Sequence, residues 1–277
     1  MDTHARTRST IESPLAIVAA LHEEIAGLID RMPDEQRERH AGRDFWCGQL
    51  HGQPVVLVLC GIGKVAAATT AALLVERYRV GRIVFTGVAG GLGPGVRVGD
   101  VVLARQFLQH DMDASPLFPR HEVPGHGRSR FDADPLLTDG LELACERMLS
   151  VLPTQLPPAT VQAFGLQAPR LHQGLLLSGD RFVATTAESR ALQAELPDAL
   201  AVEMEGAAMA QVCHDLGVPL AVVRTISDRA DDSAHVDFPR FLREVASRYS
   251  AATIEALFTS ASPACGSTAS APGQTAP

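Results

Sequence analysis

The sequence predicts an α/β protein, a mostly parallel sheet covered by helices on both faces. Three observations predict it. Short runs that are apolar throughout recur along the chain, among them PVVLVLC (54–60), RIVFTG (82–87) and the first half of PLAVVRTISD (219–228). Stretches of helical patterning separate them. Glycine-rich or polar segments follow the runs, as at GIGK (61–64) and GVAGGLGPG (87–95). Strands buried on both faces read as continuous apolar runs, and that is the pattern of a parallel sheet sandwiched between helices.

The elements follow in order. LAIVAAL (15–21) reads as the first strand and HEEIAGLIDRM (22–32) as a helix. PVVLVLC is the second strand, turning at GIGK into the Ala-rich helix VAAATTAALLVERY (65–78). RIVFTG and DVVLARQF (100–107) are further strands, then GLLLSG (174–179) and ALAVEM (199–204), with the helix TAESRALQAEL (186–196) between those two. EGAAMAQVCHDLG (205–217) reads as a helix closed by Gly217 as its C′ glycine. PLAVVRTISD is the last core strand, and DFPRFLREVASRYSAATIEALF (237–258) a long final helix. Residues 112–135 form a long Pro-, Gly- and charge-rich connection, and 153–173 read as a surface loop. Residues 1–13 are expected to be a disordered lead, 14–258 the folded domain, and 259–277, rich in Ser, Ala, Pro and Gly, a disordered tail.

Composition narrows the function classes. The chain has 277 residues, 46% of them hydrophobic, and a net charge of −8 with no basic cluster, which argues against nucleic acid as a partner. Five cysteines without a C-x-x-C pair suit reduced thiols. The polar N-terminus lacks the apolar core of a signal peptide, and no apolar run reaches the ~20 residues of a membrane span. A cytoplasmic protein with no membrane partner is the expectation. HDMD (110–113) lacks a fourth partner, so no metal is expected there.

Ligands of α/β sheets bind beyond the carboxyl ends of strands. Glu24 follows the first strand, Ala89 and Gly90 the third, and Phe182 and Val183 follow GLLLSG. Glu203, Met204 and Glu205 follow ALAV, and Arg224, Ser227 and Asp228 end the last strand. Carboxylates, one arginine, an aromatic ring and a Gly-rich segment on one rim are the inventory of an active site.

Taken together, AALHEEI (19–25), GIGKVAAA (61–68), TGVAGGLGPGVRVGDVV (86–102), QHDMDA (109–114), SGDRFV (178–183), AVEMEGAAMAQVCHDLGVP (201–219) and VVRTISDRAD (222–231) resemble the nucleoside phosphorylase-type superfamily, nearest its 5′-methylthioadenosine/S-adenosylhomocysteine nucleosidases. The resemblance covers most of residues 15–258. It implies a single three-layer α/β/α domain around a twisted mixed sheet, a homodimer, and hydrolysis of an adenine thionucleoside without cofactor or metal. It also implies roles. Asp228 is the general acid, oriented by Ser227 and protonated at working pH through burial. Glu24 activates water held by Arg224. Glu205 accepts hydrogen bonds from ribose hydroxyls, with Glu203 bracing it from behind and Met204 under the sugar. Phe182 stacks on adenine, the Val183 backbone reads its edge, and Ala89 and Gly90 let the backbone approach the ligand. Phe238 lies near the 5′ substituent, and the segment around Leu117 and Phe118 reaches toward a partner subunit. Val88 stands where the family commonly has serine. Alternative readings are a purine nucleoside phosphorylase on the same fold, a futalosine-type nucleosidase, and a nucleoside sensor without catalysis. Phosphorolysis needs cationic groups for phosphate, and Phe85 and Val88 offer none.

Overall fold

Every residue of β1 (Leu15–Ala19) is buried, because strands flank it on both edges and helices cover both faces. In the computed structural model, which describes residues 13–230 and 238–260, β1 pairs in parallel with β4 (Gln53–Leu59) and β5 (Arg82–Gly91). β5 then pairs in parallel with β10 (Leu220–Asp228) and antiparallel with β9 (Ala199–Glu203). β9 runs parallel to β8 (Leu171–Ser178), and β8 to β6 (Val101–Gln109). β6 closes the circuit antiparallel to β10. One half of the sheet therefore curls into a ring, β5–β9–β8–β6–β10, and strand ends gather at its rim.

The other half extends outward from β4 through β3 (Arg43–Leu50) to β2 (Gln36–His40), both antiparallel. Short β7 (Arg130–Asp132) adds to β6. The sheet is thus mixed rather than mostly parallel: the β2–β3–β4 meander, the β5–β9 and β6–β10 pairs of the ring, and β7 on β6 supply the antiparallel pairs.

Helices form the outer layers. On one face α1 (Ala26–Ile29), α3 (Pro135–Gln155) and α8 (Ser247–Ser260) bury Leu28, Leu141, Met148, Tyr249 and Ile254 against β1 and β10. On the other, α2 (Lys64–Glu76) and α6 (Gly206–Leu216) bury Ala67, Leu74, Met209 and Cys213. α4 (Pro158–Phe164), α5 (Thr186–Glu195) and α7 (Phe238–Phe241) are shorter, and a π-helical stretch, Leu242–Ala246, joins α7 to α8. Gly217 ends α6 in the left-handed conformation at φ 65°, as a C′ glycine should.

Four sequence expectations are corrected. The helix over 22–32 is a 3-10 turn, His22–Glu24, followed by the single turn of α1. Residues 153–173 are not a surface loop. They hold the end of α3, all of α4 and the start of β8, with Leu156, Thr160 and Leu166 buried and Thr160 Oγ1 donating to Glu244 at 2.8 Å. The Gly-rich stretch after RIVFTG is strand as far as Gly91. α8 runs to Ser260, two residues into the expected tail. The remaining tail residues, 261–277, the lead to residue 12, and Asp231 and Asp237 lie outside the described residues.

Gly99 ties the 153–173 region to the rim of the ring. Its φ is +85°, and a Cβ there would lie 2.1 Å from Leu166 Cδ2. Gly99→Ala combines left-handed strain with overpacking, so it is expected to cost about 2 kcal/mol or more. Urea unfolding at constant m-value is the check, and an unchanged midpoint would contradict it.

Candidate active site

The carboxyl ends of β1, β5, β8, β9 and β10 surround one cavity of about 200 Å³. The catalytic and substrate-binding residues expected from the sequence all line it: Glu24, Ala89, Gly90, Phe182, Val183, Glu203, Met204, Glu205, Arg224, Ser227, Asp228 and Phe238; Leu117 and Phe118 do not.

Glu24 reaches the cavity because the chain leaves β1 in a 3-10 turn rather than a long helix. The turn folds the side chain back so that Oε2 accepts from the amides of Ala20 and Leu21 at 3.0 and 2.9 Å. Its other oxygen lies over Gly87, where a Cβ would come within 3.0 Å of Glu24 Oε1 and 3.1 Å of Arg224 Nη1. Glycine at this place in β5 lets an acid and a base approach the same stretch of backbone.

Arg224 is 1% exposed. Nη2 donates to Glu203 Oε2 at 2.8 Å, and the guanidinium carbon sits 3.9 Å from the centroid of the Phe85 ring. Nε has no hydrogen-bond partner among the described residues. Glu203 is filled by protein donors: Arg224, Ser178 Oγ, and the amides of Glu205 and Gly206 at the start of α6. That accounts for the lone pairs of one carboxylate. Glu205, two residues on, takes the Gly63 amide on Oε1 at 2.8 Å and turns to the cavity. The two glutamates thus differ in work: Glu203 braces β9, α6 and Arg224, and Glu205 faces the space.

At the end of β10, also lining the cavity, Asp228 Oδ2 accepts from Ser227 Oγ at 2.7 Å and Oδ1 from the Ala230 amide at 2.8 Å. Gly90 leaves room for it, since a Cβ there would meet Oδ1 at 3.0 Å. Phe182 is 47% exposed at the mouth, edge-on to Phe238 with ring centroids 6.3 Å apart. Val183 is buried beside them, and Met204 is half-buried between the glutamates. Sequence reasoning missed Gly63, Gly87 and Ser178 as individual contributors. Each lies inside a quoted motif, but nothing local marks which glutamate it serves.

A family model described as the phosphorylase superfamily matches residues 14–259. The chain belongs to the phosphorylase superfamily. Among solved structures it is similar to the 5′-methylthioadenosine/S-adenosylhomocysteine nucleosidase of Neisseria meningitidis in complex with methylthio-immucillin-A, at 32% identity and a TM-score of 0.77 over 90% of this chain and 99% of that one. The Streptococcus pneumoniae MTA/SAH nucleosidase in complex with 8-aminoadenine matches at 31% and 0.76, over 88% and 98%. The futalosine hydrolase of Helicobacter pylori matches at 28% and 0.76, over 90% and 98%. This phosphorylase-superfamily member is accordingly an enzyme of the nucleosidase type.

In this superfamily site the charges are crowded. Burial pushes Glu205 up to about 8, Glu203 adds to the rise, and Arg224 opposes it. Burial also raises Glu24, against the Leu21 amide and the Arg224 charge. Arg224 is held charged: burial disfavours its charge, and Glu203 and Glu205 outweigh that. Among the described residues, no group of three or more His, Cys, Asp or Glu side chains could hold a metal ion, and no helix is long and apolar enough to cross a membrane.

These shifts have a stability consequence. A carboxyl whose folded value lies above its unfolded value keeps its proton on folding, so stability falls as pH rises between the two. For Glu205 that window runs from about 4.5 to about 8. Glu205→Gln removes the cost of ionising it. The variant is expected to melt several degrees above the parent at pH 8, at about 2–4 °C per kcal/mol released, with the gap vanishing near pH 4.5. Melting curves across that range decide it, and a gap independent of pH would refute it.

Proposed function

We propose that this nucleosidase hydrolyses the N-glycosidic bond of 5′-thio-substituted adenine nucleosides, methylthioadenosine and adenosylhomocysteine, releasing adenine and the thioribose. The observation that carries the reading is that Glu24 with Arg224, at Gly87, and Asp228 with Ser227, at Gly90, line one cavity at two separate positions along β5. Glycosidic cleavage passes through a cation-like sugar and needs an acid on the leaving group and a base for water on the other face. Adenine is a poor anion and leaves well once protonated. Asp228 donates that proton at N7, with Ser227 holding the carboxyl in place. Glu24 takes a proton from water positioned with Arg224, and the water adds to the anomeric carbon. Glu205 accepts from the ribose hydroxyls, and its negative charge counts for more as the sugar becomes cationic. Met204 floors the sugar. Phe182 stacks on the base while the Val183 backbone reads its edge, and Phe238 borders the 5′ substituent.

Charge supports water over phosphate as the nucleophile. Arg224 is matched by Glu203 and faced by Glu24, so an anion beside it would lie against a carboxylate. Arg181, also at the cavity, pairs with Glu188 at the surface. The relatives with adenine-type ligands support a 6-aminopurine substrate. The homodimer belongs to the same reading, with Ile62, Val65 and Leu117 as exposed apolar side chains for its interface.

The test is base release from methylthioadenosine, adenosylhomocysteine, adenosine and inosine, each with and without phosphate. Adenine release from the two thionucleosides, independent of phosphate, is expected. Preference for inosine would favour the futalosine-type reading, and phosphate-dependent release with sugar 1-phosphate would establish a phosphorylase. Asp228→Asn is expected to lower kcat by about 10²–10⁴, the usual weight of a general acid, with nucleoside binding little changed. A near-normal kcat would remove Asp228 as the acid.

A further inference from the structure

Three of the motifs quoted above carry charged residues that do not line the cavity: Lys64 of GIGK, Asp111 of QHDMDA and Asp180 of SGDRFV. They lie 47 and 69 residues apart in sequence, yet they are bonded to one another. Lys64 Nζ donates to Asp111 Oδ1 at 2.7 Å and to Gln109 Oε1 at 3.2 Å. Asp111 Oδ2 accepts the amide of Asp180 at 2.9 Å. Asp180 Oδ1 accepts the amide of Lys64 at 2.7 Å, which closes the loop.

We propose that Lys64, Asp111 and Asp180 form a positioning latch that holds the ribose acceptor and the base wall of the site in fixed register. Each of two latch residues is joined by its backbone to cavity residues. Lys64 follows Ile62 and Gly63, and the Gly63 amide is bonded to Glu205. Asp180 precedes Phe182 and Val183. Successive amides at the start of α2 thus donate to Glu205 and to Asp180, which come from different strand ends. Asp180 approaches Gly63 closely enough that a Cβ on it would lie 3.0 Å from Oδ1. His110 closes the other side, with its ring occupying the space a Cβ on Gly179 would need.

The latch also bears on the ionisation of Glu205. The charged and titratable groups facing that carboxyl are Glu203 from β9, Arg224 from β10, Glu24 from the turn after β1, and Cys60 from the end of β4. The Gly63 amide is the group among its surroundings that depends on the latch, and its bond favours the charged form. A loosened latch leaves Glu205 both misplaced and harder to ionise. Lys64 and Asp111 are partly exposed, with side chains 16% and 31% accessible, so isosteric changes there spare the core.

This inference rests on the proposed reaction, and the experiment separates the two. Asp111→Asn, Lys64→Met and the conservative Lys64→Arg are made in the full chain. kcat and KM for methylthioadenosine are measured from pH 6 to 8.5, with calorimetric affinity for adenine alone. Misplacement of a binding group on the order of 1 Å costs up to about 100-fold. Asp111→Asn and Lys64→Met are expected to raise KM by about tenfold or more, from lost ribose binding, and to lower kcat as well, because the Glu205 charge counts for more in the transition state. The rise is larger at pH 6 than at pH 8.5, and Lys64→Arg restores most of it. Adenine affinity weakens in the same two variants. An active parent with variants of unchanged KM, or with a kcat loss that is the same at every pH, overturns the latch. Should Lys64→Met fail to fold, the shape-preserving Asp111→Asn decides alone. Should the parent release no base, the reaction is wrong, and unchanged adenine affinity in the variants overturns the latch independently.

Discussion

The buried ion pair between Arg224 and Glu203 is the constraint on which the site depends. Arg224 stands in the middle of a strand, nearly inaccessible, over the ring of Phe85. Its partner ends β9 and receives the first amides of α6. One contact therefore joins β10, β5, β9 and α6 at the rim of the ring. Removing either partner leaves an uncompensated buried charge, at about 3–5 kcal/mol. The pair is also matched in chemistry: the planar guanidinium satisfies a carboxylate through Nη2, and Nη1 lies on the side of Gly87 that Glu24 Oε1 also approaches.

From that pair the division of labour among the carboxylates follows. Glu203 is saturated and structural. Glu205, next to it and sharing its field, becomes hard to ionise without a ligand. Glu24, cradled by two amides of its own turn, faces Arg224. Among the described residues, buried carboxylates outnumber the one buried cation around this cavity, a balance that in the proposed reaction suits a ligand that becomes positive as it reacts. It disfavours an anionic co-substrate. The same excess of charge that costs stability in the empty protein is therefore productive when a cationic sugar forms.

Much of this was legible in the sequence, and the limits have physical causes. The central strands announced themselves because burial on both faces makes them apolar throughout. β2 and β3 did not: QRERH and RDFWCGQL are edge and near-edge strands whose polar residues face solvent. The 153–173 segment was misread because its prolines look like breakers. Pro158 opens α4, where a helix tolerates proline, whereas Pro153 sits inside the last turn of α3 and removes one helical hydrogen bond. The glycine-rich stretch after RIVFTG reads as lying beyond the strand, but it continues β5 to Gly91, and Gly87 and Gly90 leave the space that Glu24, Arg224 and Asp228 approach. Site residues were found from their positions after strand ends. The partners that set their behaviour were not: Gly63 is 142 residues from Glu205, and the packing of α2 against α6 brings them together.

In the proposed reaction the space between Glu24 and Arg224 holds water and refuses phosphate. A crystal structure of the enzyme with an adenine nucleoside inhibitor, grown from phosphate at high concentration, tests it most directly. The account predicts one ordered water within about 2.6–3.2 Å of both the Glu24 carboxylate and the Arg224 guanidinium, on the sugar face away from Asp228. Phosphate density against Arg224, with Glu24 displaced, would contradict it.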